Sequence, residues 1–304
     1  MMSQEFAYKL EQILGKEQIL REEPMRLHTT FRIGGPAQFF VIPRTQEEAA
    51  AAVRLCRSEG APYYIIGNGS NLLVSDKGYR GVVIQLFKEF SDINIEGTRI
   101  RAQAGASLAK IAAEALRAGL AGFEFAAGIP GTLGGACIMN AGAYGGEMKN
   151  VLLAVTVLTK DGEIREIPRE ELDMGYRTSR ASREGWIVLG ATIELARGDG
   201  KEIRAKMEDL KQRRTDKQPL EYPSAGSTFK RPEGCFAGKL IQDAGLKGLR
   251  VGDAMVSEKH SGFVVNCGNA TAADVDGLIR LVQEKVREDS GITLEPEVRR
   301  LGEF

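Results

Sequence analysis

The sequence has few of the residues that bind metals or form disulfide bonds. Its 304 residues include only two histidines, His28 and His260, and four cysteines. The cysteines lie far apart and include no C-x-x-C pair, at Cys56, Cys137, Cys235 and Cys267. Zinc sites need clustered ligands, and disulfide scaffolds need a denser set of cysteines. We therefore predict no metal site and no disulfide framework, and any redox chemistry would need an organic cofactor.

The sequence also lacks an excess of either charge and a long hydrophobic run. Lys plus Arg and Asp plus Glu are 41 each, so no overall basic field attracts nucleic acid or an anionic membrane. The longest apolar run, Val151–Leu158, is far shorter than the roughly 20 residues that span a bilayer. Residues 1–21 form an amphipathic pattern that contains glutamate, unlike a secretory leader. We therefore expect a cytoplasmic protein with no nucleic-acid or membrane partner.

The chain is long enough for two domains with cores of their own. At about 150 residues per domain, a length of 304 predicts two, and 43% of the residues are apolar. Residues 197–201, RGDGK, are polar and turn-forming. We place the boundary there, with one domain at 1–198 and the other at 199–304.

Hydrophobic periodicity and turn signals predict an irregular mixture of helices and strands. The predicted helices cover residues 3–14, 46–59, 107–118, 202–215 and 239–244 and a segment capped by Thr271. The predicted strands are two within 27–43, joined by a tight turn at Gly34-Gly35, and then 63–66, 72–76, 81–86, 100–104, 151–159, 163–167, 186–195, 253–257, 262–266 and 292–301. Asp161-Gly162 predicts a β-hairpin. Strands and helices do not alternate regularly, so the predicted fold class is α+β.

A glycine-rich stretch, Ala126–Glu147, is the most unusual part of the sequence. It reads AAGIPGTLGGACIMNAGAYGGE, with seven glycines and no lysine or arginine, and we predict that it is neither a helix nor a solvated face. Glycine permits positive φ and lets consecutive backbone N–H groups converge on an anion. The stretch is therefore typical of a cofactor-binding loop, and a tightly packed turn region is the alternative that its glycine content leaves open.

A second glycine-containing segment, Gly67–Asn71, follows the predicted strand 63–66. Its Gly-x-Gly resembles the start of a dinucleotide fingerprint, but a Rossmann motif needs a third glycine and a helix directly after it. Leu72 and a strand-like run follow instead, which argues against a Rossmann fold. Small side chains and backbone N–H groups suit a pyrophosphate, and a plain β-turn is the alternative.

Five motifs together resemble a known family. They occur in the order Gly67–Asn71, Gly128–Ala136, Gly175–Arg177, Ser224–Ser227 and Leu294–Val298. The family is that of the UDP-N-acetylenolpyruvoylglucosamine reductases, flavoenzymes that make UDP-N-acetylmuramate for bacterial cell walls. The resemblance extends over roughly Leu27–Gly302. The chain has no obvious insertion between Arg177 and Trp186, which resembles the shorter variant of the family without a substrate-gating tyrosine loop.

The resemblance implies an FAD-binding domain of the vanillyl-alcohol-oxidase (PCMH) type, with two α+β lobes at about 20–84 and 85–198. A smaller α+β substrate-binding domain follows, and its C-terminal strand returns to the active site. FAD is expected without a covalent link, and a tether through His28 or Cys137, as in related oxidases, is disfavoured. The residues that the resemblance assigns to FAD are Ile66, Gly67, Asn68, Gly69, Ser70, Asn71, Gly128, Ile129, Gly131, Thr132, Gly134, Gly135, Asn140 and Gly142.

The resemblance also implies three catalytic residues. In this family the enolpyruvyl ether of UDP-N-acetylglucosamine receives a hydride that comes from NADPH through the flavin, and negative charge builds on the neighbouring carbon and its carboxylate. Arg177 is expected to hold that charge, because a guanidinium keeps its proton. Ser227 is expected to donate the proton, and Glu297 to stabilise the enol-like intermediate. Without the resemblance, each residue is more simply a surface arginine, a turn serine or a solvated glutamate.

Further residues are assigned to the substrate. Arg214 and Lys217 resemble basic residues near the uridine diphosphate, and a solvated helix end is the alternative. Tyr176 and Lys230 are expected to line the substrate or nicotinamide path. Some relatives have Asn where this chain has Arg231, so an amide contact does not carry over. The expected partners are the UDP-sugar and NADPH, acting on a monomer, and the rival functions are a flavin oxidase of the same fold and a non-catalytic nucleotide-binding module.

Overall fold

A computed structural model describes residues 4–304, which group into two units. The first unit contains residues up to Leu20, Phe39–Asn68 and Gly81–Arg214. The second contains Arg21–Gln38, Gly69–Arg80 and Thr215–Phe304. The limits of these units differ from those of the domains predicted from the sequence, 1–198 and 199–304. The reason is that two early segments, Arg21–Gln38 and Gly69–Arg80, pack with the C-terminal residues of the second unit.

The helices in residues 4–304 are α1 (Gln4–Leu14), α2 (Gln46–Ser58), α3 (Leu108–Arg117), α4 (Leu133–Met139), α5 (Arg180–Glu184), α6 (Gly200–Lys217), α7 (Ala237–Asp243) and α8 (Ala272–Ser290). Four of them, α2, α3, α5 and α8, begin at polar caps that the sequence carries. The hydroxyls of Thr45 and Ser107 accept the backbone N–H of Glu48 and Lys110. Thr271 and Asp274 form a capping box that starts α8. Within residues 4–304, no helix is both long enough and apolar enough to cross a membrane.

The strands are short, as expected for an α+β chain with many turns. They are β1 (Ile19–Pro24), β2 (Pro36–Val41), β3 (Tyr63–Ile66), β4 (Leu72–Val74), β5 (Tyr79–Gln85), β6 (Ile93–Glu96), β7 (Arg99–Gln103), β8 (Leu120–Ala121), β9 (Gly142–Ala143), β10 (Gly146–Glu147), β11 (Leu152–Leu158), β12 (Ile164–Pro168), β13 (Ile187–Glu194), β14 (Ala196–Arg197), β15 (Arg250–Val251), β16 (Ala254–Val256), β17 (Val264–Asn266) and β18 (Arg299–Leu301).

The first unit is built around a five-stranded antiparallel sheet with the order β12-β11-β13-β7-β6. The predicted hairpin at Asp161-Gly162 joins β11 to β12, with Leu158 opposite Ile164. Helix α4 packs on β13. The buried core combines apolar residues of α1, α2, α3 and this sheet. A second sheet has the order β1-β2-β5-β3, in which β3 and β5 run parallel with Tyr63 opposite Val82.

The second unit has its own core under α8. Val275, Leu278 and Val282 of this helix are fully buried and pack with residues of β16 and β17. The sheet order is β15-β16-β17. Strands β4 and β18 pair in parallel, with Arg299 opposite Leu72. This pairing is why residues 69–80 group with the C-terminal part of the chain.

Two predicted strands are wrong. Residues 27–33 form turns, because the strand that pairs with β2 is the earlier segment Ile19–Pro24. Phe31 and Ile33 are buried in the core of the second unit. Their alternation with polar residues therefore resembles a strand pattern although the segment is not a strand. Most of 292–301 is also not a strand, because Pro296 has no N–H and makes only an isolated bridge to Phe229.

The prediction that Ala126–Glu147 contains no helix is wrong as well. Leu133–Met139 form α4, whose first amides, those of Leu133 and Gly134, donate to the carbonyls of Ala106 and Ala104 at 2.9 and 2.8 Å. A Cβ on Gly134 would lie 2.8 Å from the Cβ of Ala104. Close packing on the sheet therefore favours glycine here and outweighs its low helix propensity.

Candidate functional site

The two glycine-containing segments lie side by side in the first unit. A Cβ on Gly67 would overlap the hydroxyl oxygen of Thr132. The side-chain amide of Asn68 donates to the carbonyl of Pro130 at 3.3 Å. A larger residue at position 67 would have to displace the side chain of Thr132. This close approach brings together two stretches that lie far apart in the sequence. This arrangement is what a shared cofactor-binding surface requires.

The glycines of the second stretch have different roles. Gly134 is buried against Ala104, whereas Gly135 is exposed on the same helix. Gly142 lies in the short β9–β10 hairpin, where a Cβ would come within 2.7 Å of the Gly146 carbonyl oxygen. Gly134 and Gly142 thus have packing reasons of their own, and Gly135 presents open backbone.

Arg214 lies against the glycine-rich stretch. Its Cδ is 3.2 Å from the position that a Cβ on Gly128 would occupy. The side chain is half-buried, and burial lowers the pKa of its guanidinium, with Tyr144 acting in the opposite direction. Among residues 4–304, no carboxylate pairs with it, although its neighbour Arg213 bonds Asp209 at 2.9 Å. A half-buried cation beside open glycine backbone fits an anion such as the pyrophosphate of FAD.

Arg177 occupies the tip of a tight turn in the first unit. The N–H of Gly175 donates to the carbonyl of Thr178 at 3.1 Å, and the N–H of Thr178 donates back at 3.4 Å. Tyr176 and Arg177 are the two residues at the tip, and the guanidinium lies 5.4 Å from the Tyr176 ring centroid. Arg177 has a φ of +54°, a conformation that costs an L-residue about 1 kcal/mol and favours glycine.

Asn140, which the family resemblance assigns to the cofactor, is buried at the end of α4. Its side-chain amide bonds three protein groups, those of Glu147, Lys149 and Gly175. Its place is therefore tied to the turn that carries Arg177.

Ser227 and Glu297 lie on adjacent segments of the second unit. The N–H of Glu297 donates to the carbonyl of Thr228 at 2.8 Å, and the N–H of Lys230 donates to the carbonyl of Glu295 at 2.8 Å. Thr228 is fully buried. The two motifs that carry the predicted proton donor and carboxylate are thus hydrogen-bonded neighbours.

Thr228 holds this pair of segments to β17. Its N–H donates to the carbonyl of Gly262 at 2.9 Å, and its hydroxyl accepts the N–H of Val264 at 2.9 Å. Its carbonyl accepts the N–H of Glu297. The N–H, the carbonyl and the hydroxyl oxygen of Thr228 are therefore all hydrogen-bonded.

Asn71 fixes Glu297 from the other side. Its side-chain amide donates to the carbonyl of Glu297 at 3.1 Å, and its own carbonyl accepts the N–H of Arg299 at 3.0 Å. Gly69 has a φ of +60°, and a Cβ there would overlap the carbonyl oxygen of His28. Asn71 therefore supports the Glu297 segment in the second unit, while Gly67 and Asn68 belong to the first.

The remaining candidates differ in their surroundings. The ammonium of Lys230 pairs with Glu295, and Lys217 is exposed at the last position of α6. Tyr176 is 56% exposed. Cys137 is buried, and burial raises the pKa of its thiol, which makes it a poor nucleophile for a flavin tether. His28 bonds Glu23 through Nε2 at 2.8 Å.

Sequence reasoning missed the residues that hold the candidate catalytic groups. Thr228 follows Ser227 directly, but a buried threonine in a loop carries no periodic signal. The resemblance assigned Asn140 and Asn71 to the cofactor, which stays a prediction, and the sequence did not reveal which protein groups their amides bond. The left-handed φ of Asn140, +43°, is a conformation that asparagine tolerates better than most residues.

Comparisons with known proteins cover nearly the whole chain. Residues 218–301 match the family model described as UDP-N-acetylenolpyruvoylglucosamine reductase, C-terminal domain, and residues 37–168 match the one described as FAD binding domain. The UDP-N-acetylenolpyruvoylglucosamine reductase of Alkaliphilus oremlandii (strain OhILAs) is 53% identical over 298 residues, 98% of each chain. That of Caldanaerobacter subterraneus subsp. tengcongensis is 53% identical over 295 residues, 97% of each chain.

Solved structures agree with these matches. The crystal structure of UDP-N-acetylenolpyruvylglucosamine reductase from Thermus caldophilus has a TM-score of 0.80 and 41% identity, and covers 93% of this chain and 98% of that one. An alkyldihydroxyacetonephosphate synthase structure, 16% identical with a TM-score of 0.51, covers 65% of this chain and 41% of its own, and shares the fold alone. Together they confirm the predicted α+β fold class with its FAD-binding domain.

Proposed function

The chain belongs to the UDP-N-acetylenolpyruvoylglucosamine reductase family, and from this premise we propose that it reduces the enolpyruvyl ether of UDP-N-acetylglucosamine to UDP-N-acetylmuramate, a precursor of bacterial peptidoglycan. The proposal includes FAD as a cofactor bound without a covalent link, and NADPH as the reductant. The main support for this proposal is the identity of 53% over 98% of both chains. The aligned region contains both the FAD-binding part and the C-terminal part of the chain.

FAD, when bound, would supply hydride transfer between NADPH and the sugar substrate. We assign its binding to Gly67, Asn68 and the stretch 128–135, with Arg214 as the cation for the pyrophosphate. In support, Gly67 contacts Thr132 and Arg214 has no carboxylate partner in the part of the chain that is described. The assignment of Arg214 to FAD differs from the sequence-based expectation that it contacts the uridine diphosphate.

Arg177 would bind the carboxylate of the enolpyruvyl group. Addition of hydride to the terminal carbon leaves negative charge on the neighbouring carbon and this carboxylate, and a guanidinium stabilises such charge most when it is fixed in advance. The φ of +54° at Arg177 supports this role. Glycine would adopt this φ without strain. The presence of arginine at this position therefore indicates that its side chain has a function there.

Ser227 would donate the proton that completes the reduction, and Glu297 would stabilise the developing enol. A hydroxyl is a weak acid, but the carbanion-like carbon is a strong base, so the transfer is favourable once the groups are close. The hydrogen bond between Glu297 and Thr228 supports joint action, since it keeps both segments in one register.

The test separates the two halves of the reaction. NADPH added without oxygen should bleach the flavin absorbance of the wild-type protein, and the enolpyruvyl ether should restore it. The variant Ser227→Ala should bind FAD and accept electrons from NADPH normally, while the return of absorbance slows by about 10²–10⁴-fold, as for loss of a general acid.

Each half-reaction serves as the control for the other. Normal reoxidation by Ser227→Ala would contradict the assignment of the proton donor. A wild-type protein that binds FAD but does not respond to the enolpyruvyl ether would contradict the proposed substrate.

A further inference from the structure

The turn that carries Arg177 is anchored to the C-terminal end of α4 at both of its ends. On one side, the Nδ2 of Asn140 donates to the carbonyl of Gly175 at 3.1 Å. On the other, the hydroxyl of Ser179, which is fully buried, donates to the carbonyl of Ile138 at 2.9 Å. The turn, Gly175–Thr178, begins at the first anchored residue and ends directly before the second.

Asn140 makes the more specific of the two anchors. It is 3% exposed, and it ends α4 in the left-handed conformation with a φ of +43°. Its Nδ2 also donates to the carboxylate of Glu147 at 2.7 Å, and its Oδ1 accepts the N–H of Lys149 at 2.9 Å. Both ends of the amide are therefore bonded to protein groups.

The turn needs such an anchor. Two backbone hydrogen bonds close it, one of them long at 3.4 Å, and Arg177 at its tip is in a conformation that arginine adopts rarely. A turn that relaxes would move the guanidinium without unfolding the surrounding sheet.

We infer that Asn140 is a positioning residue that sets the place of Arg177, and that it does not bind the cofactor through its side chain. The inference rests on the function proposed above, in which Arg177 holds the substrate carboxylate. It gives the glycine-rich stretch, through the C-terminal end of α4, the role of positioning the group that stabilises charge on the substrate.

The variant Asn140→Asp tests the contact with little change in shape. Aspartate has the same size, tolerates the left-handed conformation, and keeps the oxygen that accepts from Lys149. It loses both donors and places a carboxylate against Glu147 and the Gly175 carbonyl. We expect kcat to fall by about 10²-fold, as for a misplacement near 1 Å, with the FAD affinity of the apoprotein and reduction by NADPH unchanged.

A second variant separates the turn from local stability. In Asn140→Asp combined with Glu147→Gln, the new glutamine amide donates to the new aspartate, so the contact between 140 and 147 returns while that with Gly175 does not. We expect the double variant to regain thermal stability but to keep the low kcat. Hydrogen exchange of the peptide 173–179, measured by mass spectrometry, should be faster in both variants than in the wild type.

The outcomes are distinct. Recovery of kcat in the double variant would overturn the inference, because the loss would then come from the contact with Glu147. A fall in FAD affinity that matches the fall in kcat would also overturn it and return Asn140 to the cofactor. If the wild type itself fails to reduce the enolpyruvyl ether, the proposed function falls, and the exchange of residues 173–179 then decides whether Asn140 anchors the turn.

Discussion

Replacement of Arg214 by methionine should weaken FAD binding without harming the fold. Methionine keeps the length of the side chain and its packing over Gly128, and removes the charge. A hydrogen bond to a charged group contributes about 1.5–3 kcal/mol, which corresponds to an FAD affinity lower by about 10- to 150-fold at 1.4 kcal/mol per factor of ten.

Arg213→Met is the matched control. Arg213 is the preceding residue of α6, it is exposed, and it pairs with Asp209 one helical turn away. An exposed pair of this kind contributes about 0.3–0.5 kcal/mol, so the control should lose little stability and no FAD affinity. The assay is a titration of each apoprotein with FAD, followed by flavin fluorescence.

The apoprotein offers a second readout for Arg214. Its guanidinium is desolvated without a carboxylate partner in the described chain, and burial lowers its pKa. Removal of that charge should leave the melting temperature of the apoprotein equal to or above that of the wild type.

Two results would refute this reasoning. An unchanged FAD affinity in Arg214→Met would remove Arg214 from the pyrophosphate site. If the KM for the UDP-sugar rises instead, the sequence-based expectation of a uridine diphosphate contact is the correct one.

Two further predictions concern the second unit. Thr228→Val should lower the free energy of unfolding by about 1–3 kcal/mol, because the N–H of Val264 loses its acceptor, and it should slow reoxidation of the flavin by the enolpyruvyl ether. Thr228→Ser keeps the hydroxyl and should retain both the stability and the rate. Equal values for the two variants would contradict the role of the hydroxyl. Burial, with a contribution from Lys247, lowers the pKa of His260 below 6.5. The stability that neutral His260 contributes is therefore fully present above pH 6.5, and it is lost as the pH falls through the pKa of the folded state. His260→Gln should therefore lose less stability than the wild type between pH 7 and pH 5 in urea unfolding, and parallel losses would contradict this account.

Elements with local signals were predictable from the sequence. Helix α2 has its cap at Thr45 and ends before Gly60, and α8 starts at Thr271 with a capping box. The hairpin at Asp161-Gly162 depends on a turn that two residues encode. In each case the information lies within a few residues of the feature that it determines.

Elements that depend on distant partners were not predictable. The strand character of residues 27–33 was inferred from Phe31 and Ile33, whose burial comes from the core of the second unit. Helix α4 was missed because its glycines disfavour a helix in isolation, and the reason for Gly134 lies in Ala104. The separation of packing glycines from exposed ones, such as Gly135, likewise needs the fold.

The glycine-rich stretch is better understood as a fixed support than as a flexible loop. Helix α4 is too short to be stable alone, so contacts outside it must set its position. At its start, Leu133 and Gly134 bond the backbone of residues 104 and 106, and at its end Asn140 bonds Gly175. Because both ends are tied to other elements, glycine here serves close approach rather than motion, and the conformational strain at Arg177 persists since its neighbours on both sides are held.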